Sequence, residues 1–276
     1  MAEWFFLRNF APIMANLILD KLTIGYHTTV IQPSLSLEAR EGEMICLLGQ
    51  NGCGKSTLIR TLAGFLPPLS GQAFVRQSAS AYKSLFSMTE HERSLLFSVV
   101  LTDRLSTDRT TVEDVVAMGR YPYANILGKL SDTDVRNINE ALTAVNMEHK
   151  RGAYFSELSD GEKQRTLIAK ALAQQTPFIL LDEPTAHLDL PNRIKTLLLL
   201  RQLARTTART ILISTHELDL ALQTADTIWL MTPQQGIQAG TPQELTQSGA
   251  FQNAFADPHF RFIPDPSGQL RIHILD

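Results

Sequence analysis

In the glycine-rich run Gly49-Gln50-Asn51-Gly52-Cys53-Gly54-Lys55-Ser56-Thr57, the eight residues from Gly49 to Ser56 fit the pattern G-x-x-x-x-G-K-[ST] in full. The glycines let successive backbone N–H groups turn inward as a nest for an anion, and a helix beginning at Lys55 adds the positive end of its dipole. In such a loop Lys55 neutralises β and γ phosphates while the Ser56 hydroxyl sits on Mg²⁺. The pattern therefore implies Mg²⁺ and ATP as ligands, with Gly49, Asn51, Gly52, Cys53, Gly54, Lys55, Ser56 and Thr57 around the phosphates. The plain alternative is a glycine-rich turn that happens to precede a helix.

A second constellation lies at Phe178-Ile179-Leu180-Leu181-Asp182-Glu183, an apolar run ending in two adjacent carboxylates. Strand alternation sends them to different sides, which suits two jobs. Asp182 would hold the metal shell with Ser56, and Glu183 would face the attacking water as general base. Standing alone, the pair could equally be a solvated strand end.

The elements needed to position these groups are legible around them. Residues 44–48 form an unbroken apolar run, the mark of a strand buried on both faces. The glycine loop follows at once, and helical spacing over 55–66 predicts a helix that stops at Pro67-Pro68. Residues 17–24 and 34–37 read as further strands. In the middle of the chain Thr111 with Asp114, Ser131 with Asp134 and Ser159 with Glu162 form capping boxes, each opening a helix. Val135, Ile138, Leu142 and Val145 make one apolar stripe on the second of these. Strand-like runs return at 178–181, 210–214 and 227–231, separated by helical segments. The alternation predicts an α/β core with a mostly parallel sheet and one nucleotide-binding unit.

Bulk properties agree. The 276 residues are 44% hydrophobic and 19% charged, with a net charge of −3, so no bulk positive charge advertises nucleic acid. A disulfide between Cys46 and Cys53 would clamp a loop that must wrap a ligand, so a reducing compartment is the better reading. No stretch reaches the roughly 18 apolar residues a membrane span needs. The leading segment is aromatic but interrupted by Glu3 and Arg8; Met1 and Met14 are both candidate starts.

Leu158-Ser159-Asp160-Gly161-Glu162-Lys163-Gln164-Arg165 resembles the signature motif of ATP-binding cassette (ABC) proteins, usually written LSGGQ. Ala186-His187-Leu188-Asp189 resembles that family's D-loop, Ser214-Thr215-His216 its switch-histidine loop, and Tyr26 its adenine-stacking aromatic. The likeness runs from about Leu17 to Leu245. It implies a P-loop NTPase core with a mostly parallel sheet, a small antiparallel β region and an inserted helical subdomain. It implies ATP hydrolysis with Glu183 and His216 catalytic, and Ser159, Gly161 and Asp189 serving ATP across a head-to-tail dimer with a second copy. The bounds that follow are 14–245 for the ATPase domain, with the helical subdomain at about 103–172. Residues 246–276 form a C-terminal extension, and 1–13 an N-terminal extension or a mis-assigned start.

The signature departs from the family in Asp160 and Glu162, where glycine and glutamine are usual. Two added carboxylates would repel a triphosphate unless they point outward or pair with Lys163 or Arg165. Where the family's Q-loop glutamine is expected, alignment on Thr111-Val112 places Thr102, a third candidate metal contact. Gly119-Arg120-Tyr121-Pro122-Tyr123 resembles the importer ATPases for iron-siderophore, haem and cobalamin. The subunit so implied lies peripherally on the cytoplasmic face of the inner membrane, docked on a polytopic permease. A substrate-binding protein is an indirect partner and nucleic acid is none. A non-transport cassette, such as a cofactor-assembly ATPase, is the alternative.

Overall fold

The computed structural model describes residues 16–76, 81–101, 109–124, 129–233, 236–255, 259–264 and 270–274. Thr102, Met1 and Met14 lie outside the described residues. The first antiparallel pair is β1 (Leu17–Tyr26) and β2 (Thr29–Ala39). β3 (Met44–Gly49) runs through the glycine loop into α1 (Lys55–Leu62). β4 (Ser70–Arg76) and β5 (Tyr82–Ser84) complete a four-stranded antiparallel sheet in the order β2-β1-β4-β5. After α2 (Glu90–Ser94) and β6 (Phe97–Val100) comes the helical block of α3 (Val112–Ala117), α4 (Asp132–Ala144) and α5 (Asp160–Ala173).

Strands and helices then alternate: β7 (Phe178–Asp182), α6 (Leu190–Thr207), β8 (Thr210–Thr215), α7 (Leu218–Thr224) and β9 (Thr227–Thr232). β10 (Gly236–Gly240) returns antiparallel to β9. The six-stranded sheet has the order β10-β9-β3-β8-β7-β6, with every other pair parallel. α8 (Pro242–Gln247), α9 (Ala250–Ala254) and the hairpin of β11 (Phe260–Pro264) and β12 (Leu270–Ile274) follow.

β3 explains why this arrangement holds together. Its alternate side chains feed two cores, as a period of two requires. Met44, Cys46 and Leu48 pack with Val112, Ile138, Ile168 and Leu200 from the helices. Ile45 and Leu47 pack with Leu58 and Leu62 of α1 and with Leu19, Leu22 and Leu35 of the antiparallel sheet. Parallel register then sets strand ends side by side, with Leu48 opposite Thr215 and Asp182 opposite Ser214. Ligands of open α/β sheets sit at these carboxyl ends.

Two local expectations shift. α1 ends at Leu62, not 66, because Gly64 takes φ +80. Gly64 N–H then bonds Thr61 O at 3.1 Å and Phe65 N–H bonds Arg60 O at 2.9 Å, a Schellman closure that ends the helix before the prolines act. On α4, Ile138, Leu142 and Val145 are buried as expected, but Val135 is 44% exposed. The three capping boxes at Thr111, Ser131 and Ser159 all form.

Candidate functional site: the nucleotide-binding face

The 49–57 loop is shaped by its neighbours. A Cβ on Gly49 would lie 2.4 Å from Met231 O and 2.6 Å from Cys53 Sγ, so β9 leaves no room for a side chain there. Gly54 has φ +108, and its Cβ would lie 2.7 Å from Ile31 Cγ2. Lys55 is buried and its Nζ donates to Gly49 O at 2.8 Å and Gln50 O at 3.1 Å. The ammonium therefore crosses the mouth of its own loop, where a phosphate oxygen would take over from the carbonyls. Cys53 is buried, and burial pushes its thiol pKa up; both cysteines are free. Asn51 is exposed at the loop's tip.

Asp182, Ser56 and Ser214 form one cluster. Ser56 Oγ donates to Asp182 Oδ1 at 3.0 Å, and Ser214 Oγ donates to the same oxygen at 2.6 Å. The Ser214 hydroxyl also accepts the Glu183 N–H at 2.8 Å. That bond helps hold Glu183 at φ +47, a conformation rare for a non-glycine residue and frequent at functional sites. The Glu183 carboxylate faces His216, whose Nδ1 lies 3.7 Å from Oε1. One hydroxyl and one carboxylate oxygen in contact form an all-oxygen donor pair, the chemistry Mg²⁺ prefers when substrate phosphates supply further ligands.

Tyr26 is brought to the same face. Its hydroxyl accepts a hydrogen bond from Thr57 Oγ1 at 3.3 Å, and its ring is partly exposed. The sequence-predicted residues 49–57, Tyr26, Asp182, Glu183 and His216 thus share one surface at the ends of β3, β7 and β8.

Ser159, Gly161 and Asp189 do not join them within this chain. Ser159 Oγ caps α5 by accepting the Glu162 N–H at 3.4 Å, while Glu162 Oε2 accepts the Ser159 N–H at 3.0 Å. Gly161 packs beside Asn192 of α6. Asp189 caps α6, its Oδ1 accepting the Asn192 N–H at 3.0 Å. Of the two added carboxylates, Asp160 is exposed. Glu162 is tied to Ser159 and lies 3.4 Å from Lys150, not against Lys163 or Arg165. The Ser159 backbone N–H, then its hydroxyl and Lys150, hold the Glu162 carboxyl below the usual range.

Residues 33–186, more than half of the chain, match the family described as ABC transporter. The chain belongs to the ABC transporter family. This ABC protein is 37% identical to an uncharacterised ABC transporter ATP-binding protein of Methanocaldococcus jannaschii, over 82% of the chain and 76% of the relative. It is 36% identical to the petrobactin import ATP-binding protein FpuD of Bacillus anthracis, over 85% of the chain and 84% of the relative. Among solved structures, it resembles an inward-facing transporter assigned to the metal-chelate type. The TM-score is 0.77 at 28% identity, over 95% of this chain and 98% of that one.

Three further residues of the ABC subunit bear on the loop without having been singled out for it. Ser214 was legible only as part of the switch-histidine segment, yet it connects Asp182 to Glu183. Gln50, inside the loop, donates through Nε2 to Ala254 O at 3.1 Å, tying α9 to the glycine loop. Gln32, on β2, lies directly behind the loop and is fully buried. No local pattern marks it, since its partners are 21 and 200 residues away in sequence.

Proposed function

We propose that this chain is the ATP-hydrolysing subunit of an ABC importer, powering uptake of an iron chelate (a siderophore or haem) or cobalamin through a membrane permease. The observation that carries the chemistry is the Ser56–Asp182 contact at 3.0 Å beside the Glu183–His216 pair, all at the mouth of a phosphate loop. The similarity to a petrobactin import protein across most of both chains supports the cargo class.

Lys55 transfers its ammonium from the Gly49 and Gln50 carbonyls to the β and γ phosphates, and the N–H groups of the loop and of α1 bind phosphate oxygens. Ser56 and Asp182 would hold Mg²⁺, which would supply charge neutralisation on the phosphates. Ser214 fixes the Asp182 oxygen and the Glu183 backbone together. Glu183 then takes the proton of the attacking water, with His216 oriented beside it. Tyr26 offers its ring to the adenine. A second copy, head-to-tail, brings Ser159 and Gly161 at the start of α5 to the far side of the same triphosphate, with Asp189 near the contact. The exposed position of Ser159 supports this.

The permease contact is supported by an open groove of about 490 Å³ lined by Phe65, Arg93, Phe97, Lys170 and Gln174, in which Phe65 is 59% exposed. No helix among the described residues is long and apolar enough to cross a membrane. We place the subunit peripherally, on the cytoplasmic face of the inner membrane, with a substrate-binding protein on the other side as an indirect partner. The test is co-expression of a tagged chain with the membrane protein encoded beside it. Co-purification and a cargo-dependent rise in ATPase rate are expected. A chain that hydrolyses ATP unchanged and never retains a membrane protein points instead to a cofactor-assembly ATPase.

A further inference from the structure

Gln32 is a fully buried amide in the second strand of the antiparallel sheet. Its Nε2 donates to Cys53 O at 2.9 Å and to Thr232 O at 2.7 Å, and its Oε1 accepts the Gly236 N–H at 3.1 Å. Both amide hydrogens are used, and the oxygen is used as well. One planar group therefore joins the back of the phosphate loop to the end of β9 and the start of β10. A carboxylate has no hydrogen to give two carbonyls, and an apolar side chain would withdraw this partner from the Cys53 carbonyl at a buried contact and from the Thr232 carbonyl and Gly236 N–H at part-buried ones.

The consequence for the loop follows from peptide geometry. In a trans peptide the C=O and the next N–H point in opposite directions. Gln32 holds the Cys53 carbonyl to the rear, so the Gly54 N–H of the same peptide unit is directed forward, into the anion nest. The two residues are packed closely: a Cβ on Gly54 would lie 2.7 Å from Ile31 Cγ2 and 3.5 Å from Gln32 Cγ, so only glycine fits there. We propose that Gln32 is a positioning residue for the nucleotide phosphates, acting through the Cys53–Gly54 peptide. The antiparallel sheet then serves both ends of the ligand, with Tyr26 of β1 at the base and Gln32 of β2 behind the phosphates. This rests on ATP being bound at the 49–57 loop.

The test is Gln32→Leu and Gln32→Glu in the full chain, with ATP and ADP affinity measured by calorimetry well below each variant's melting temperature. Gln32→Leu is expected to weaken both nucleotides about tenfold. Hydrolysis at saturating ATP stays close to wild type, so KM moves and kcat does not. Should Gln32→Leu fail to fold, Gln32→Glu carries the test. Its affinity is expected to improve as pH falls, because only the protonated acid can donate to Cys53 O, while wild-type affinity follows no such trend. Affinities within twofold of wild type and no pH trend, whatever the melting temperature, overturn the proposal and leave Gln32 as a tie of the sheet. Lys55→Ala is the control: if it too binds normally, ATP sits elsewhere and both readings fall together.

Discussion

Two helix starts in this molecule face the same problem and solve it differently. α5 begins with Ser159 as cap, a closed capping box, and Asp160 and Glu162 in its first turn. α1 begins at Gly54, with no side-chain cap and no acidic residue in its first turn. Of the four described helices with eight or more residues, α1 alone lacks a side-chain cap. A helix start leaves N–H groups without intrahelical partners, and acidic first-turn residues neutralise the dipole there. α5 meets that demand from its own chain, whereas α1 leaves it open. The start of α1 is thus set apart by an omission, while the start of α5 is largely satisfied within its own chain.

The largest test of this contrast is Lys55→Ala, which is expected to abolish measurable ATP binding. Normal affinity would mean that the uncapped end of α1 is not the phosphate site. Gly54→Ala should be nearly as severe, since it sets a Cβ 2.7 Å from Ile31 at φ +108. The expected cost is about 1 to 3 kcal/mol of stability together with loss of nucleotide binding, read by melting and by calorimetry.

Glu183→Gln leaves both helix ends intact. It should bind ATP, hydrolyse roughly 10² to 10⁴ times more slowly, and accumulate as a nucleotide-bound dimer in size-exclusion chromatography. A variant that turns over normally would move the general base elsewhere.

Gly161→Ala sharpens the comparison from the other side. Its Cβ would meet only ordinary contact, 3.4 Å from Asn192 Cγ, in a helical conformation. The single chain should keep its stability, or gain up to about 1 kcal/mol. ATP binding by the single chain should be unchanged while steady-state hydrolysis falls. Unaltered hydrolysis would remove Gly161 from the composite site.

The smallest effect concerns Glu162, whose folded carboxyl titrates below its unfolded range. A depressed carboxyl contributes stability that is present above the unfolded pKa and is lost as pH falls through the folded one. The stability difference between wild type and Glu162→Gln, followed by thermal melts, should therefore be full at neutral pH and shrink as pH falls below the ordinary carboxylate range and through the lower folded value. A difference that grows with acid would show that the carboxylate is not held by Ser159.

Local signals were the legible ones. The strand, glycine loop and helix around Lys55 follow one another in sequence, and each capping box spans three residues, so neither needs tertiary information. The prolines at 67 and 68 set an outer limit for α1, but Gly64 at φ +80 closes the helix before them. Val135 keeps helical spacing with its stripe, but spacing alone does not say where the partner surface stops. The union of Asp182, Ser214 and Glu183 depends on parallel register between β7 and β8, and Gln32 on contacts across most of the chain. Strand pairing creates both, and no motif announces them. Ser159, Gly161 and Asp189 were readable only through family resemblance, since nothing in one chain joins them to ATP.

The two hydrogen bonds that Lys55 makes to Gly49 and Gln50 carry a kinetic meaning. They brace the loop from inside before any ligand comes, so the loss of chain entropy is met during folding and not at the encounter. A phosphate arriving at this loop would exchange with the carbonyl partners of an ammonium already in place, so capture is expected to be faster than at a loop that must first be ordered.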